Sequence, residues 1–333
     1  MSKLIDTYGR VHRDLRVSLT DRCNLRCNYC LPEEFSNWLP SENLLSADEL
    51  LQVIQVAVSA GITEVRLTGG EPLLRPDIVQ IVERISKLEN APKLSLTTNG
   101  IRLAELAQPL KNAGLERINV SLDTLRPERF NELTHRDRFD DVIKGLKAAR
   151  DSGLAPIKIN TVLMPGINTD EATELLHWAL SEDFRLRFIE QMPLDAGGLW
   201  NRTNMVTADD IFESLKAEFE LTPVSNRGSA PAEEFLVNGG PGTVGIIASV
   251  TRPFCGDCDR LRLTSDGQIR SCLFSQTETD VRSVLRNKEI SQEQKIEKIE
   301  KLFIRTVADK LPGHGINNLD FIQPNRPMSA IGG

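Results

Sequence analysis

Along the first half of the chain, apolar and polar residues alternate in short runs, and each run is followed by a longer stretch with helical spacing. Leu15, Val17 and Leu19 alternate with Arg16, Ser18 and Thr20, and Val65 and Leu67 with Arg66 and Thr68. Leu94 and Leu96 alternate with Ser95 and Thr97, and Ile118, Val120 and Leu122 with Asn119, Ser121 and Asp123. A period of two marks a strand with two unlike faces. Strands are therefore predicted over 15–20, 64–68, 93–97, 117–123, 157–164 and 185–192. Between the first two lies an amphipathic helix over 46–60, with Ser46 as N-cap, Glu49 three residues on and Gly61 as its stop. Strand and helix in regular succession imply a parallel sheet with helices outside it.

A closed eight-strand barrel fills its interior with branched apolar side chains. Here the apolar face is needed by the helices, so the polar face points inward. Such a sheet reads as an open, partial (β/α)6 barrel around a large polar ligand. An antiparallel sheet with one wet face would alternate in the same way, but the helical stretches between runs weigh against it. In such folds chemistry sits on the loops at the C-terminal ends of the strands.

From about residue 221 the pattern changes. Pro223, Gly228, Pro231 and the glycines of Gly239-Gly240-Pro241-Gly242 break up short runs such as 243–250. The expectation is two domains, 1–220 and a smaller 221–333. In the second, the segment from Cys255 through Arg260-Leu261-Arg262 reaches a Ser265-Asp266-Gly267 turn, and the resulting hairpin would return Cys272 toward Cys255 and Cys258. An amphipathic helix is expected over 291–310, burying Ile296, Ile299, Leu302 and Phe303, before a Pro- and Gly-rich tail over 311–333.

Composition narrows the function. The 333 residues are 40% hydrophobic and 26% charged, as in a globular protein. No apolar run approaches the ~20 residues of a membrane span, and the N-terminus has no apolar signal region. A cytoplasmic protein is expected. The net charge of −7 and pI near 5.4 argue against nucleic-acid and membrane surfaces as partners. An anionic ligand would need a local arginine cluster.

The six cysteines carry the sharpest signal. Cys23, Cys27 and Cys30 stand at C-x3-C-x2-C on the loop after the first predicted strand. A cubane iron–sulfur cluster takes four thiolates, so three leave one iron open for chemistry. A zinc site or buried free thiols are the alternatives at this spacing. The other three, Cys255, Cys258 and Cys272, form a second set, so two three-thiolate clusters use all six. A zinc ribbon joining the two C-x2-C pairs would orphan the other two. His12, His135, His177 and His314 form no recognisable ligand pair.

The C-x3-C-x2-C loop, with Tyr29 before its last cysteine and Gly69-Gly70-Glu71-Pro72 after the second strand, resembles the signature of radical S-adenosylmethionine (SAM) enzymes. With Arg260-Leu261-Arg262 and Gly332-Gly333, the resemblance narrows to the family of GTP 3',8-cyclases and runs from Tyr8-Gly9-Arg10 to the final glycine. It implies a partial (β/α)6 TIM-like barrel of the radical SAM type with a smaller C-terminal cluster-binding domain. It implies two [4Fe-4S] clusters, one on Cys23, Cys27 and Cys30, the other on Cys255, Cys258 and Cys272. SAM would meet Tyr29, Gly70, Ser121 and Met192. GTP would meet Arg16, Arg66, Thr97, Lys158, Arg187, Arg260, Leu261 and Arg262. The implied reaction begins when SAM is reductively cleaved. The adenosyl radical takes the 3' hydrogen of GTP, and the 3' carbon closes on guanine carbon 8.

The resemblance further implies a homodimer, an external electron donor and a downstream enzyme that forms the cyclic pyranopterin. Glu64 stands where relatives carry a phosphate-facing lysine, and Gln191 where an aromatic residue is frequent. The rival readings are a peptide-modifying radical SAM enzyme, and an electron-transfer or zinc-stabilised binding protein. The tail after Lys310 could reach up to ~75 Å at ~3.3 Å per residue, so Gly332 and Gly333 are expected in the active site, where any Cβ would clash.

Overall fold

A computed structural model describes residues 3–198 and 200–332. Its centre is one twelve-stranded sheet. The six predicted strands are present as β1 (Asp14–Ser18), β2 (Glu64–Thr68), β3 (Lys93–Thr98), β4 (Arg117–Ser121), β5 (Ile157–Thr161) and β6 (Arg185–Ile189). They lie side by side in chain order and all parallel. The remaining strands are β7 (Leu221–Pro223), β8 (Glu233–Val237), β9 (Thr243–Ile247), β10 (Arg260–Leu263), β11 (Gln268–Arg270) and β12 (Thr279–Asp280).

These last strands do not form a separate sheet. β10 adds parallel to β1, and β9 adds parallel to β6. The antiparallel strands β11–β12 and β8–β7 flank them as the two outer edges. The physical reason is shared burial. Leu261 and Leu263 of β10, and Val244 and Ile246 of β9, belong to the same apolar core as Leu15, Val65 and Leu96.

Helices α1 (Ala47–Ala60), α2 (Ile78–Ser86), α3 (Leu103–Asn112), α4 (Pro127–Thr134), α5 (Phe139–Asp151), α6 (Ala172–Ser181) and α7 (Ala208–Lys216) follow the strands. The start of α1 is the expected capping box, with the Ser46 side chain accepting from Glu49 N–H and the Glu49 side chain accepting from Ser46 N–H. Short α8 (Arg282–Arg286) leads to α9 (Gln292–Ala308), which packs against α1. In α9, Ile299 and Phe303 are buried but Ile296 stays half exposed, so the buried stripe starts a turn later than its periodicity suggests. Among the described residues no helix is long and apolar enough to cross a membrane.

Strand parity sets the interior. Leu15, Val17, Val65, Leu67, Ile118 and Val120 are fully buried against the helix layer. Arg16, Arg66, Thr97, Ser121, Asn160, Arg187, Arg260 and Arg262 take the opposite parity and line a central cavity. The last element, α10 (Met328–Ile331), reaches that cavity, with Met328 in its lining. Ile331 is fully buried in a small apolar cluster with Leu194, Met205, Val250, Phe274 and Ile316.

Candidate active site

The cysteine loop follows β1 and is fixed by β2. The Gly70 N–H donates to Thr20 O at 2.7 Å, and the Glu71 N–H to Arg22 O at 2.7 Å. A Cβ at Gly70 would lie 2.3 Å from Arg22 O and 2.4 Å from Asp21 O. At this pair the absent side chains therefore let the cysteine loop press against β2. Gly70 does not itself line the cavity. Buried Glu71 continues the brace, accepting from Leu73 N–H, Asn99 N–H and the Thr98 hydroxyl at 2.7–2.9 Å. The Asn99 amide in turn donates to Asn24 Oδ1 at 2.7 Å, within the loop, and lies 4.0 Å from Cys23 Sγ.

Cys30 and Tyr29 line the cavity, while Cys23 and Cys27 lie behind them against the core. Burial pushes the Cys23 thiol up to about 11 and the Cys30 thiol up to about 12, and it raises Cys27 too. Free, these thiols hold their protons; a metal displaces them. The Tyr29 hydroxyl donates to Asp123 Oδ2 at 2.6 Å, and burial raises Asp123 to about 6. Ser121 and Met192 line the same wall. Asp123 carries no sequence signal of its own beyond inward parity.

At the other end of the parallel strands, before β10 and after β11, stand Cys255, Cys258 and Cys272, which also face the cavity. The hairpin β10–β11 brings Cys272 back to the other two, as its turn residues imply. Burial raises the Cys255 thiol. Burial also acts on Cys258, but Arg260 and Lys310 outweigh it and hold that thiol below its ordinary value. All six cysteines are free. The donor set is three thiols at each end. Among the described residues no three His, Cys, Asp or Glu groups converge as they would on a single ion. A cubane takes each thiolate on a different iron, and a triad of thiols with no other donor fits that group.

Between the two triads lies a ring of cations. Arg16, Arg66, Arg187, Arg260 and Arg262 come from the inward faces of β1, β2, β6 and β10. Burial and mutual repulsion lower Arg16 well below its usual value, and bring Arg187 and Arg262 to about 10. Arg16 Nε and Arg260 Nε and Nη2 are buried with no hydrogen-bond partner. The Phe254 ring stacks under both Arg260 and Arg227, at 4.7 and 4.8 Å. Buried, unpaired guanidinium donors are costly unless an anion completes them.

Two expected substrate contacts fall elsewhere. The Leu261 side chain is fully buried in the core, so only its backbone is available inward. Lys158 shares the inward parity of Asn160 but sits one step nearer the N-terminal ends of the strands, off the cavity wall, where burial and Arg187 lower it to about 7. Glu64, at the same end of β2, is ion-paired with Arg117 of β4 at 3.0 Å.

The tail reaches the site. Its Arg326 forks onto Asp266 at 2.9 and 3.1 Å and reaches Glu278 at 2.8 Å. The Met328 N–H donates to Leu194 O at 3.0 Å. The Gly332 carbonyl then accepts from Arg262 Nη1. Gly332 has φ +85°, and a Cβ there would lie 2.8 Å from Thr68 Cγ2 and 3.1 Å from Ser18 Cβ. Gly333 lies outside the described residues. Sequence reasoning missed Ile331, which no local pattern in the tail marks. It also missed His314, which lines the cavity and stacks on Phe274 at 4.8 Å between centroids.

Comparison with known proteins agrees with this geometry. Residues 17–179 match the Radical SAM superfamily, and residues 184–316 match Molybdenum Cofactor Synthesis C. The chain is 60% identical to a GTP 3',8-cyclase of Streptomyces coelicolor, over 99% of this chain and 96% of that one. It is 54% identical to a GTP 3',8-cyclase of Mycolicibacterium smegmatis, over 99% and 92%. Among solved structures, Streptococcus suis SuiB bound to precursor peptide SuiA aligns with a TM-score of 0.61 at 17% identity, over 93% of this chain and 68% of that one. The histidine-tagged anSMEcpe with bound AdoMet aligns at 0.60 and 15% identity, over 93% and 81%. At such identities the two structures speak for the fold alone.

Proposed function

The chain belongs to the GTP 3',8-cyclase family of the radical SAM superfamily, and on that premise we propose that its central cavity holds SAM on one cysteine triad and GTP between the two. It is a radical SAM enzyme that joins the 3' carbon of GTP to guanine carbon 8. The product is (8S)-3',8-cyclo-7,8-dihydroguanosine 5'-triphosphate, the first step of molybdenum cofactor biosynthesis. When bound, the [4Fe-4S] cluster and SAM supply the one-electron chemistry that removes a hydrogen atom from an unactivated carbon.

Residues 1–220 and 221–333 serve as two functional parts of one sheet. Cys23, Cys27 and Cys30 hold the SAM cluster, with Gly70 fixing their loop. Ser121, Met192 and the Tyr29–Asp123 pair, joined at 2.6 Å, orient SAM. Cys255, Cys258 and Cys272 hold a second [4Fe-4S] cluster facing the guanine. Arg16, Arg66, Arg187, Arg260 and Arg262, with Thr97 and the Leu261 backbone, hold the triphosphate, and Lys158 adds positive charge from behind the cavity wall. Gly332 enters between the substrates, anchored there by buried Ile331. The working enzyme is a cytoplasmic homodimer with an external electron donor, and its product passes to a pyranopterin-forming enzyme.

The observation that carries this assignment is the group of inward arginines, in which Arg16 has only a 4.0 Å ion pair with Asp14 and buried donors of Arg16 and Arg260 have no hydrogen-bond partner. A triphosphate brings several negative charges and acceptors to such donors. GTP binding measured at fixed salt tests it. Arg260→Ala, removing a charge-assisted contact of about 1.5–3 kcal/mol, is expected to weaken GTP roughly tenfold or more with both clusters intact. An unchanged Kd would remove Arg260 from the substrate site.

A further inference from the structure

The function above leaves the N-terminal Tyr8-Gly9-Arg10 turn and Lys310 unused, yet both press against the second cysteine triad. Arg10 Nε is paired with Asp6 Oδ2 at 2.5 Å. Its other nitrogens donate to the carbonyls of Cys255 and Leu311 at 2.7 Å and of Pro312 at 3.1 Å. Its charge is thus matched, and it holds loop geometry. Lys310, just past α9, is different. It is 4% exposed. Its Nζ donates to Arg260 O at 2.8 Å and Cys258 O at 3.2 Å, and lies 3.6 Å from Cys258 Sγ.

Among the described residues no carboxylate pairs with this ammonium. Burial lowers Lys310 from its ordinary value, the nearby Cys258 and Cys272 sulfurs favour its charge, and Arg10 and Arg260 oppose it. A buried cation is heavily penalised unless an anion answers it. We propose that Lys310 is the counter-cation of the second triad, a positioning residue whose fixed charge favours the more negative, reduced state of the cluster held there. This rests on the reading that Cys255, Cys258 and Cys272 hold a [4Fe-4S] cluster. Cation placement beside metal-bound sulfur is a general lever on potential.

The experiment is an anaerobic redox titration, followed by electron paramagnetic resonance, of the full chain with both clusters reconstituted. The second cluster is the one whose signal SAM leaves unchanged. In Lys310→Met, the reduced-to-oxidised ratio of that cluster at a fixed potential is expected to fall about tenfold, a downward shift of about 59 mV for one electron. Lys310→Arg is expected to stay near wild type, and Arg10→Gln to leave the potential in place. Loss of the second cluster's iron in the Met variant but not in the Arg variant also supports a charge role. An unshifted potential in Lys310→Met, or equal effects in the Met and Arg variants, overturns it. If wild-type protein itself binds only one cluster, the assignment of the second triad fails instead, and iron analysis separates the two failures.

Discussion

Truncating Ile331 to alanine should release the tail without unfolding the enzyme. Ile331 is 0% exposed, and it packs in a cluster separate from the main core, with Leu194, Met205, Val250, Phe274 and Ile316. Ile→Ala in a full core costs about 2–5 kcal/mol; a short tail relaxes readily, so about 2 kcal/mol is the appropriate figure. At 1.4 kcal/mol per decade, the docked-to-released ratio falls roughly 30-fold. The Arg326 fork on Asp266 and Glu278 remains, so release is confined to the last few residues. The Gly332 amide, bonded to Met328 O at 2.9 Å, reports the event. Its hydrogen exchange should accelerate by up to that factor while exchange in β3 is unchanged. GTP cyclisation should fall with it, and iron content and SAM binding should hold. Wild-type exchange at 328–332 together with wild-type turnover would refute the role of Ile331.

Two further outcomes test the rest of the site. Cys27→Ala should abolish SAM cleavage, whereas Cys258→Ala should leave uncoupled cleavage but no cyclised GTP; identical losses, read by deoxyadenosine and product assays, would deny the triads separate roles. Lys158, lowered to about 7 by burial and Arg187, contributes stability present above its unfolded value of 10.5 and lost as pH falls through about 7. A bound triphosphate favours its protonated form, so GTP binding at about pH 8 should take up a proton. Calorimetry in buffers of different ionisation enthalpy reads this directly, and a buffer-independent enthalpy, or one equal in Lys158→Gln, would exclude it.

Local sequence carried the strands, their polarity and the cysteine loop because each is set by neighbours in the chain. The period of two alone put Arg16, Arg66, Thr97 and Ser121 inside. It carries no sign of β10 joining β1, because Asp14 and Arg260 pair across most of the chain and leave no local period. The family resemblance places Leu261 with its arginine neighbours at the substrate, but alternation within β10 sends its side chain to the core. Ile331 and Lys310 were illegible for a related cause. A single apolar residue in a tail, or a lysine ending a helix, has meaning only once folding brings a distant surface to it.

The pairing of β10 with β1 and of β9 with β6 bears on how the chain is made. While a ribosome has delivered only β1 through β6, both margins of that sheet offer unpaired N–H and C=O groups, and such margins invite association between chains. The strands that cover them arrive up to 246 positions after their partners, as Asp14 and Arg260 measure. Contacts that remote close slowly. The nascent barrel must therefore be sheltered, or emerge fast enough, until Leu263 has cleared the exit tunnel.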